Sequence, residues 1–396
     1  MKTYKWFFLV LVVGMFSACN NDSEEELVGN WTIRGTFDGS DRGYAASFVL
    51  TLDGKEYGYV CCGSNGGNGL NCLRGVYKYD CSEDKWTRQA DFPGTARTQA
   101  VGFACNGKGY VGTGWDKRED LMKDFWEFDP TGGPTGSDGQ PIGEWREVAP
   151  LPEQEGARHS AVAFSLTVGG KEYGYVGCGY AYDEENNPLI LKDLWSFDPT
   201  LGPNGPDGRP IGEWEPVKGN QGNKRYGAVA FVIDNKAYIC TGYTNTSRTR
   251  ARDLLMFDPN SSSSPWEDKN KMFDSDQDQD FDDDYADLER GFAASFTMPG
   301  GDDGKMKGYI ALGGKSTVWE YDPLTDLWVR RTNHINNSSS ISKEGATGFS
   351  FLKAINPVTN TPGRGFVCLG SSGTANYDDN REFFPTEEDN LRDDYK

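Results

Sequence analysis

Short runs of alternating apolar and polar residues recur along this chain, many of them rich in Val, Tyr, Phe and Trp and broken by Gly, Asn or Asp-Pro. Alternation with period two, bounded by such breaks, reads as β-strands joined by turns. Six of the runs align without gaps: Arg42 to Phe48, Arg97 to Phe103, Arg158 to Phe164, Arg225 to Phe231, Arg290 to Phe296 and Lys343 to Phe349. Each opens on a basic residue, with Ala three positions later and Phe six positions later. A second column ends in Gly63, Gly114, Gly179, Gly242, Gly313 and Gly370. A third is aromatic and ends at Asp80, Asp129, Asp198, Asp258 and Asp322, with a weaker sixth copy at Glu382 to Phe384. A fourth is marked by Trp86, Trp145, Trp214, Trp266 and Trp328.

Self-similarity at a spacing of roughly 60 residues is the mark of a repeat architecture. Four short strands per unit, here labelled a to d, form the blade of a β-propeller. The expected fold is therefore all-β, with six blades. The last unit lacks a Trp after Phe384, but Trp31 precedes Arg42 by the interval that separates Trp86 from Arg97 and Trp214 from Arg225. Residues 29–37 are thus expected to supply strand d of the sixth blade, closing the ring and removing an exposed sheet edge.

The columns resemble the kelch family over nearly the whole chain after its first residues. Kelch repeats usually carry Gly-Gly after strand b. Only Gly313-Gly314 does so here; Ser64, Trp115, Tyr180, Tyr243 and Ser371 stand in the other second positions. The resemblance implies a six-bladed kelch-type propeller. It extends, at the level of fold, to bacterial sialic acid mutarotases and to galactose oxidase-type propellers. The copper ligands of the latter are not matched by the two histidines, His159 and His334.

Composition adds an address. Lys2 and Lys5 precede an apolar run from Trp6 to Phe16, too short to span a bilayer, and Phe16-Ser17-Ala18-Cys19 follows. This resembles a bacterial lipoprotein signal cleaved before a lipidated Cys19. Ser23 to Glu26 resembles the acidic signal of surface-exposed Gram-negative lipoproteins. The expected layout is a signal peptide over 1–18, a lipidated acidic tether over 19–28, a propeller over 29–385 and an acidic tail over 386–396. The expected location is the outer membrane, lipid-anchored and facing outward, with the periplasmic face as alternative. No transmembrane helix is expected.

The net charge of −20 argues against nucleic acid, which needs a basic footprint. Acidic runs at 22–26, 274–289 and 378–396 account for much of it, leaving the body nearly neutral. Within the second run, Asp278, Asp280, Asp282 and Glu289 loosely follow the spacing of a calcium loop, with Asp283 where such loops need Gly. Calcium is the candidate cation there, and no cofactor is required. Beyond the lipidated Cys19 there are eight cysteines. Most recur at strand-b packing positions and read as buried thiols; Cys81 and Cys105 are a candidate pair. Blades 2 and 3 share Gly/Pro-rich insertions ending at Trp145 and Trp214, read as rigid turns between strands c and d.

Strand a starts at one rim and strand b returns to it. The six basic residues, Arg42, Arg97, Arg158, Arg225, Arg290 and Lys343, are therefore expected to circle the channel mouth. Trp115, Tyr180 and Tyr243 are expected beside them. Arg suits carboxylate recognition and an aromatic face suits a sugar ring. The chain reads first as a binder of an anionic glycan or a protein partner at this mouth. A metal-free sialic acid mutarotase and a scaffold for an outer-membrane complex are the alternatives; no catalytic residue is assigned.

Overall fold

The repeats become six four-stranded antiparallel sheets arranged as a propeller. Blade 1 is formed by Ala46–Leu52, Lys55–Cys61, Val76–Asp80 and Lys85–Arg88. Blades 2 to 5 repeat that order from strands a at Val101–Cys105, Val162–Val168, Val229–Ile233 and Ala294–Gly300. Blade 6 takes strands a to c from Thr347–Ile355, Pro362–Cys368 and Asn380–Phe384, and strand d from Asn30–Arg34. Asn30 faces Phe384 and Arg34 faces Asn380, so the two ends of the ring are one sheet, as expected. The computed structural model describes residues 27–66, 71–118, 120–152, 156–219, 222–269, 272, 283–300, 303–333 and 342–387.

The columns are contacts between blades. The strand-a Phe stacks on the strand-b Tyr, as in Phe48–Tyr59 at 5.1 Å and 10°. The strand-b ring then meets the strand-c ring of the next blade at 5.4 to 5.5 Å, from Tyr59–Phe128 and Tyr175–Phe257 round to Phe366–Tyr79, which joins blade 6 to blade 1. The Gly before that Tyr is required where the preceding blade's Phe crosses it. A Cβ on Gly109 would lie 2.2 Å from the Phe48 ring, and one on Gly174 would lie 2.1 Å from Phe103. The strand-d Trp latches the preceding blade: Trp86, Trp145 and Trp214 donate from Nε1 to the carbonyls of Gly35, Ala90 and Ala149. The strand-c Asp pairs with a Lys of strand b, as in Lys55–Asp80 at 2.6 Å and Lys307–Asp322 at 2.7 Å.

The two insertions reach back over the preceding blade. In blade 2, Ile142 accepts from the Ala90 amide and Asp138 pairs with Lys78 at 3.3 Å. In blade 3, Ile211 accepts from the Ala149 amide, while Arg146 and Arg209 both pair with Glu127. Cys81 and Cys105 do not pair. Both are free thiols, each buried in a different inter-blade cluster.

Candidate binding site at the channel mouth

The channel mouth is built by the first residues of each strand a. The residue two positions after each basic residue, namely Tyr44, Gln99, Ser160, Gly227, Phe292 or Gly345, adopts positive φ between 54° and 63°. That left-handed turn swings its amide toward the preceding blade. Gln99 N donates to Tyr44 O, Ser160 N to Gln99 O, Gly227 N to Ser160 O, Phe292 N to Gly227 O, Gly345 N to Phe292 O, and Tyr44 N back to Gly345 O, at 2.7 to 3.0 Å. Six hydrogen bonds thus close a ring around the axis.

A second ring runs in the opposite sense. Gly63, Gly114, Gly179, Gly242, Gly313 and Gly370, all at positive φ, donate to the carbonyls of Arg97, Arg158, Arg225, Arg290, Lys343 and Arg42. Neighbours joined this way lie about 5 Å apart, so the inner hexagon is only about 10 Å across between backbones. The cavity at this neck is about 110 Å³. A second cavity of about 230 Å³, lined by strand-a residues such as Ser47, Gly102 and Gly348, continues the channel below this neck.

The basic column has another place than the one expected for it. Arg42, Arg97, Arg158, Arg225, Arg290 and Lys343 are at most 2 % exposed and do not rim the mouth. Each Arg side chain bridges strands b and c of its own blade instead, and Lys343 reaches Asp379 ahead of strand c. Arg97 Nη1 donates to Thr113 O and forks with Asp124 at 2.7 and 2.8 Å. Arg158 does the same with Cys178 O and Asp193, Arg225 pairs with Asp253, and Lys343 pairs with Asp379. Where the partner column holds Gly75 or Thr317, Arg42 and Arg290 use carbonyls: Cys62 and Gly75 for one, Leu312 and Thr317 for the other. The physical reason is accounting. The strand-b corner turns its carbonyl inward, and a buried carbonyl needs a donor. Burial alone would raise the Asp124 carboxyl, but the Arg97 fork holds it below the usual range. The Asp column was visible in the sequence as Asp124-Phe, Asp193-Leu and Asp253-Leu, each just ahead of the apolar run of strand c.

Aromatic residues occupy the mouth. Trp115, His159 and Tyr180 form a parallel stack with centroids 5.6 and 5.1 Å apart. Tyr180 meets Tyr226 edge-on at 5.3 Å, Tyr226 meets Tyr243 at 5.5 Å and Phe292 at 6.2 Å, and Phe292 meets Tyr44 edge-on at 5.3 Å. The arc passes from blade 2 through blade 5 to blade 1. Two of the three expected aromatics, Trp115 and Tyr180, are half-buried in it, and Tyr243 is buried beneath Arg248. Blade 3 raises its b–c hairpin beside the arc: Lys171–Tyr182 and Pro188–Asp198 are the longest strands b and c, and Tyr182 at their tip is exposed.

Two polar features join the arc. Arg248, half-exposed in the b–c loop of blade 4, lies 4.4 Å over the Tyr243 ring and donates to the Tyr243 hydroxyl at 2.8 Å. It also reaches Glu344 of blade 6 at 2.9 Å, and Tyr44 of blade 1 donates to the same carboxylate at 3.2 Å. An Arg–carboxylate pair therefore straps the mouth from blade 4 to blade 6. On the opposite side His159 Nδ1 lies 2.8 Å from Ser160 Oγ, which donates to Gln99 Oε1 at 2.6 Å. With that hydroxyl proton directed at Gln99, the Nδ1–H tautomer completes the chain and leaves the Nε2 lone pair available. Burial pushes the imidazole pKa down to about 4, so it is neutral at pH 7.

A larger cleft, about 420 Å³, lies between strand d of blade 2 and the blade 3 insertion. Its Arg146 and Asp207 are already engaged with Glu127 and Arg209, so it reads as an assembly seam. Of the expected calcium ligands, Asp278, Asp280 and Asp282 lie outside the described residues, as do Cys19 and His334. Glu289 is paired with Arg252 at 2.6 Å. Among the described residues no cluster of His, Cys, Asp or Glu could hold a metal ion, and no helix is long and apolar enough to cross a membrane. No known protein-family model matches the chain, and no curated protein matches it.

Proposed function

We propose that this protein is a kelch-type propeller lipoprotein of the outer membrane that binds a carboxylate-bearing glycan at its mouth. One observation carries the reading: Arg248 is held on the face of Tyr243, within an aromatic arc, and already grips a carboxylate supplied from across the ring. A ligand carboxylate can replace Glu344 on Arg248 while its ring lies against the arc. Arg is suited to this because its planar fork both stacks on an aromatic face and donates two bonds to a carboxylate. The buried basic column does not contribute to this grip; its role is to hold each blade together.

The test is proton NMR of N-acetylneuraminate with the chain lacking residues 1–19. Saturation transfer is expected for the unaltered protein, with a marked loss for Arg248→Ala and for the methyl ester of the sugar. Equal transfer to acid and ester removes the carboxylate reading. No transfer to either moves the search to other acidic glycans and to protein partners. The neutral imidazole of His159, with its Nε2 lone pair, supports a second reading as a mutarotase. Faster anomer exchange at catalytic protein concentration would establish it, and loss of that exchange in His159→Gln would assign the base.

A further inference from the structure

Antiparallel order fixes which end of the ring each loop occupies. Strand a leaves the mouth, so a–b hairpins and c–d turns lie at the opposite end, here called the base. Strand d of blade 6 begins there, since Asn30 pairs with Phe384 at the base end of strand c. The chain just ahead of it is pinned by bonds from Thr332 to Leu27 O and Val28 O and from the Gly29 amide to Glu387 O. Any N-terminal tether therefore leaves from the outer edge of blade 6, between the end of blade 5's strand d and the base end of blade 6's strand c.

The same blade has the longest base hairpin. Its strands a and b, Thr347–Ile355 and Pro362–Cys368, run into a turn over 356–361, whereas blades 1 to 4 turn within two residues, as at Asp53-Gly54. Leu352, Ile355 and Val358 on this extension are 45, 52 and 50 % exposed. The extension is not loose. The buried Glu56 carboxylate of blade 1 accepts from the amides of Leu352, Lys353 and Ala354 at 2.7 to 3.1 Å. Its charge is also unlike the rest of the chain: no Asp or Glu occurs between Glu344 and Asp378, in a protein with 60 acids against 40 Lys and Arg. Apart from Tyr182 and Leu201 of blade 3, every exposed large apolar side chain among the described residues belongs to blade 5 or 6.

We infer that the blade 6 hairpin is a foot that rests in the interface of the bilayer holding the anchor, so that the mouth faces away from that membrane. This rests on the lipid-anchor reading. Leu27 lies eight positions after Cys19, a reach of at most about 28 Å when extended, and strand d lies three strands, about 15 Å, from strand a in the same blade. The tether is short enough to keep the foot at the lipid surface. Exposed aliphatics with a Lys and no acid suit the headgroup boundary, where apolar side chains insert and cations meet lipid phosphate.

The full lipidated chain is placed in vesicles of phosphatidylethanolamine and phosphatidylglycerol that carry a headgroup quencher. A thiol fluorophore is attached at Asn360→Cys on the foot or Thr246→Cys at the mouth, in a Cys72→Ser background. Several-fold stronger quenching is expected at position 360 than at 246, falling toward the level at 246 in Ile355→Asp/Val358→Asp. Equal quenching at both positions, or stronger quenching at 246, overturns the orientation. Undiminished quenching in the double variant overturns the foot. Flotation of the same sample reports the anchor separately. If the chain does not float with the vesicles, the lipid reading fails, and the orientation is read from a chain held by an N-terminal histidine tag on nickel-chelating lipid, with the same expected ratio.

Discussion

At the scale of the residue, the arginines divide by burial: those opening strands a are at most 2 % exposed and clamp their own blades, whereas Arg248 at the mouth is half-exposed. The two kinds of Arg should separate by experiment. Arg158→Met takes the donor from the buried Cys178 carbonyl and leaves Asp193, 32 % exposed, with the Trp195 Nε1–H, and a buried acceptor left unmet costs about 1–3 kcal/mol. Urea unfolding should show that loss. Arg248→Ala removes a half-exposed cation and should change stability by about 1 kcal/mol or less while removing ligand binding. Gly109→Ala tests the aromatic crossing. Its Cβ meets the Phe48 ring at 2.2 Å, and overpacking of this sort costs about 1–3 kcal/mol, visible as a lower denaturation midpoint with unchanged m-value.

His159 sets a pH dependence at the same scale. Its folded pKa is depressed to about 4, below the unfolded value of about 6.5, so the unfolded chain binds the proton more readily. Stability is full above about pH 6.5 and falls as the pH drops toward 4, by at most about 3 kcal/mol from this group. The Asp124 carboxyl, depressed by Arg97, adds its own loss at still lower pH. Denaturation midpoints of His159→Phe between pH 7 and 4 should be flatter than those of the unaltered protein. Parallel curves would show that the proton is taken up elsewhere.

At the scale of the element, each blade is incomplete alone. Its strand-b ring packs on the next blade, its Trp bonds to the preceding one, and its Gly corner donates across a seam. The blade 6 sheet depends on a strand from the far end of the chain, with Trp31 only 1 % exposed between Phe296 and Phe383. Trp31→Ala should cost about 3–5 kcal/mol, as large aromatic truncations do. Deleting residues 27–34 should have a different result. Strand c of blade 6 becomes an open edge, and size-exclusion chromatography should show association through it. A monomer of unchanged stability would mean that the ring does not need its closing strand.

At the scale of the whole molecule, two hydrogen-bonded rings of opposite sense tie six blades into one unit and narrow the channel at the mouth. The aromatic arc and the Arg248–Glu344 strap lie there. Apart from Tyr182 and Leu201, the exposed large apolar side chains among the described residues gather on blades 5 and 6, the two blades that hold the segment over 27–29.

The period, the blade count and the closing strand were legible in the residues because each rests on local pattern: alternation, Gly breaks and a Trp at a fixed interval. The same pattern identified the strand-a basic residue as special, but which way its side chain points depends on where the strand-b corner turns its carbonyl. That corner is made by residues such as Cys62 and Thr113 in left-handed conformation, and nothing in a Cys or a Thr announces it. The mouth was legible only in part. Trp115 and Tyr180 follow directly from strand direction, whereas Tyr44, Phe292 and Glu344 meet around an axis that exists only once six blades close. Arg248 and Glu344 are 96 positions apart in the chain and reach each other across the mouth. Contacts within a strand pair are written in the sequence at short range. Contacts across the axis arise from ring closure, and only the tertiary structure decides them.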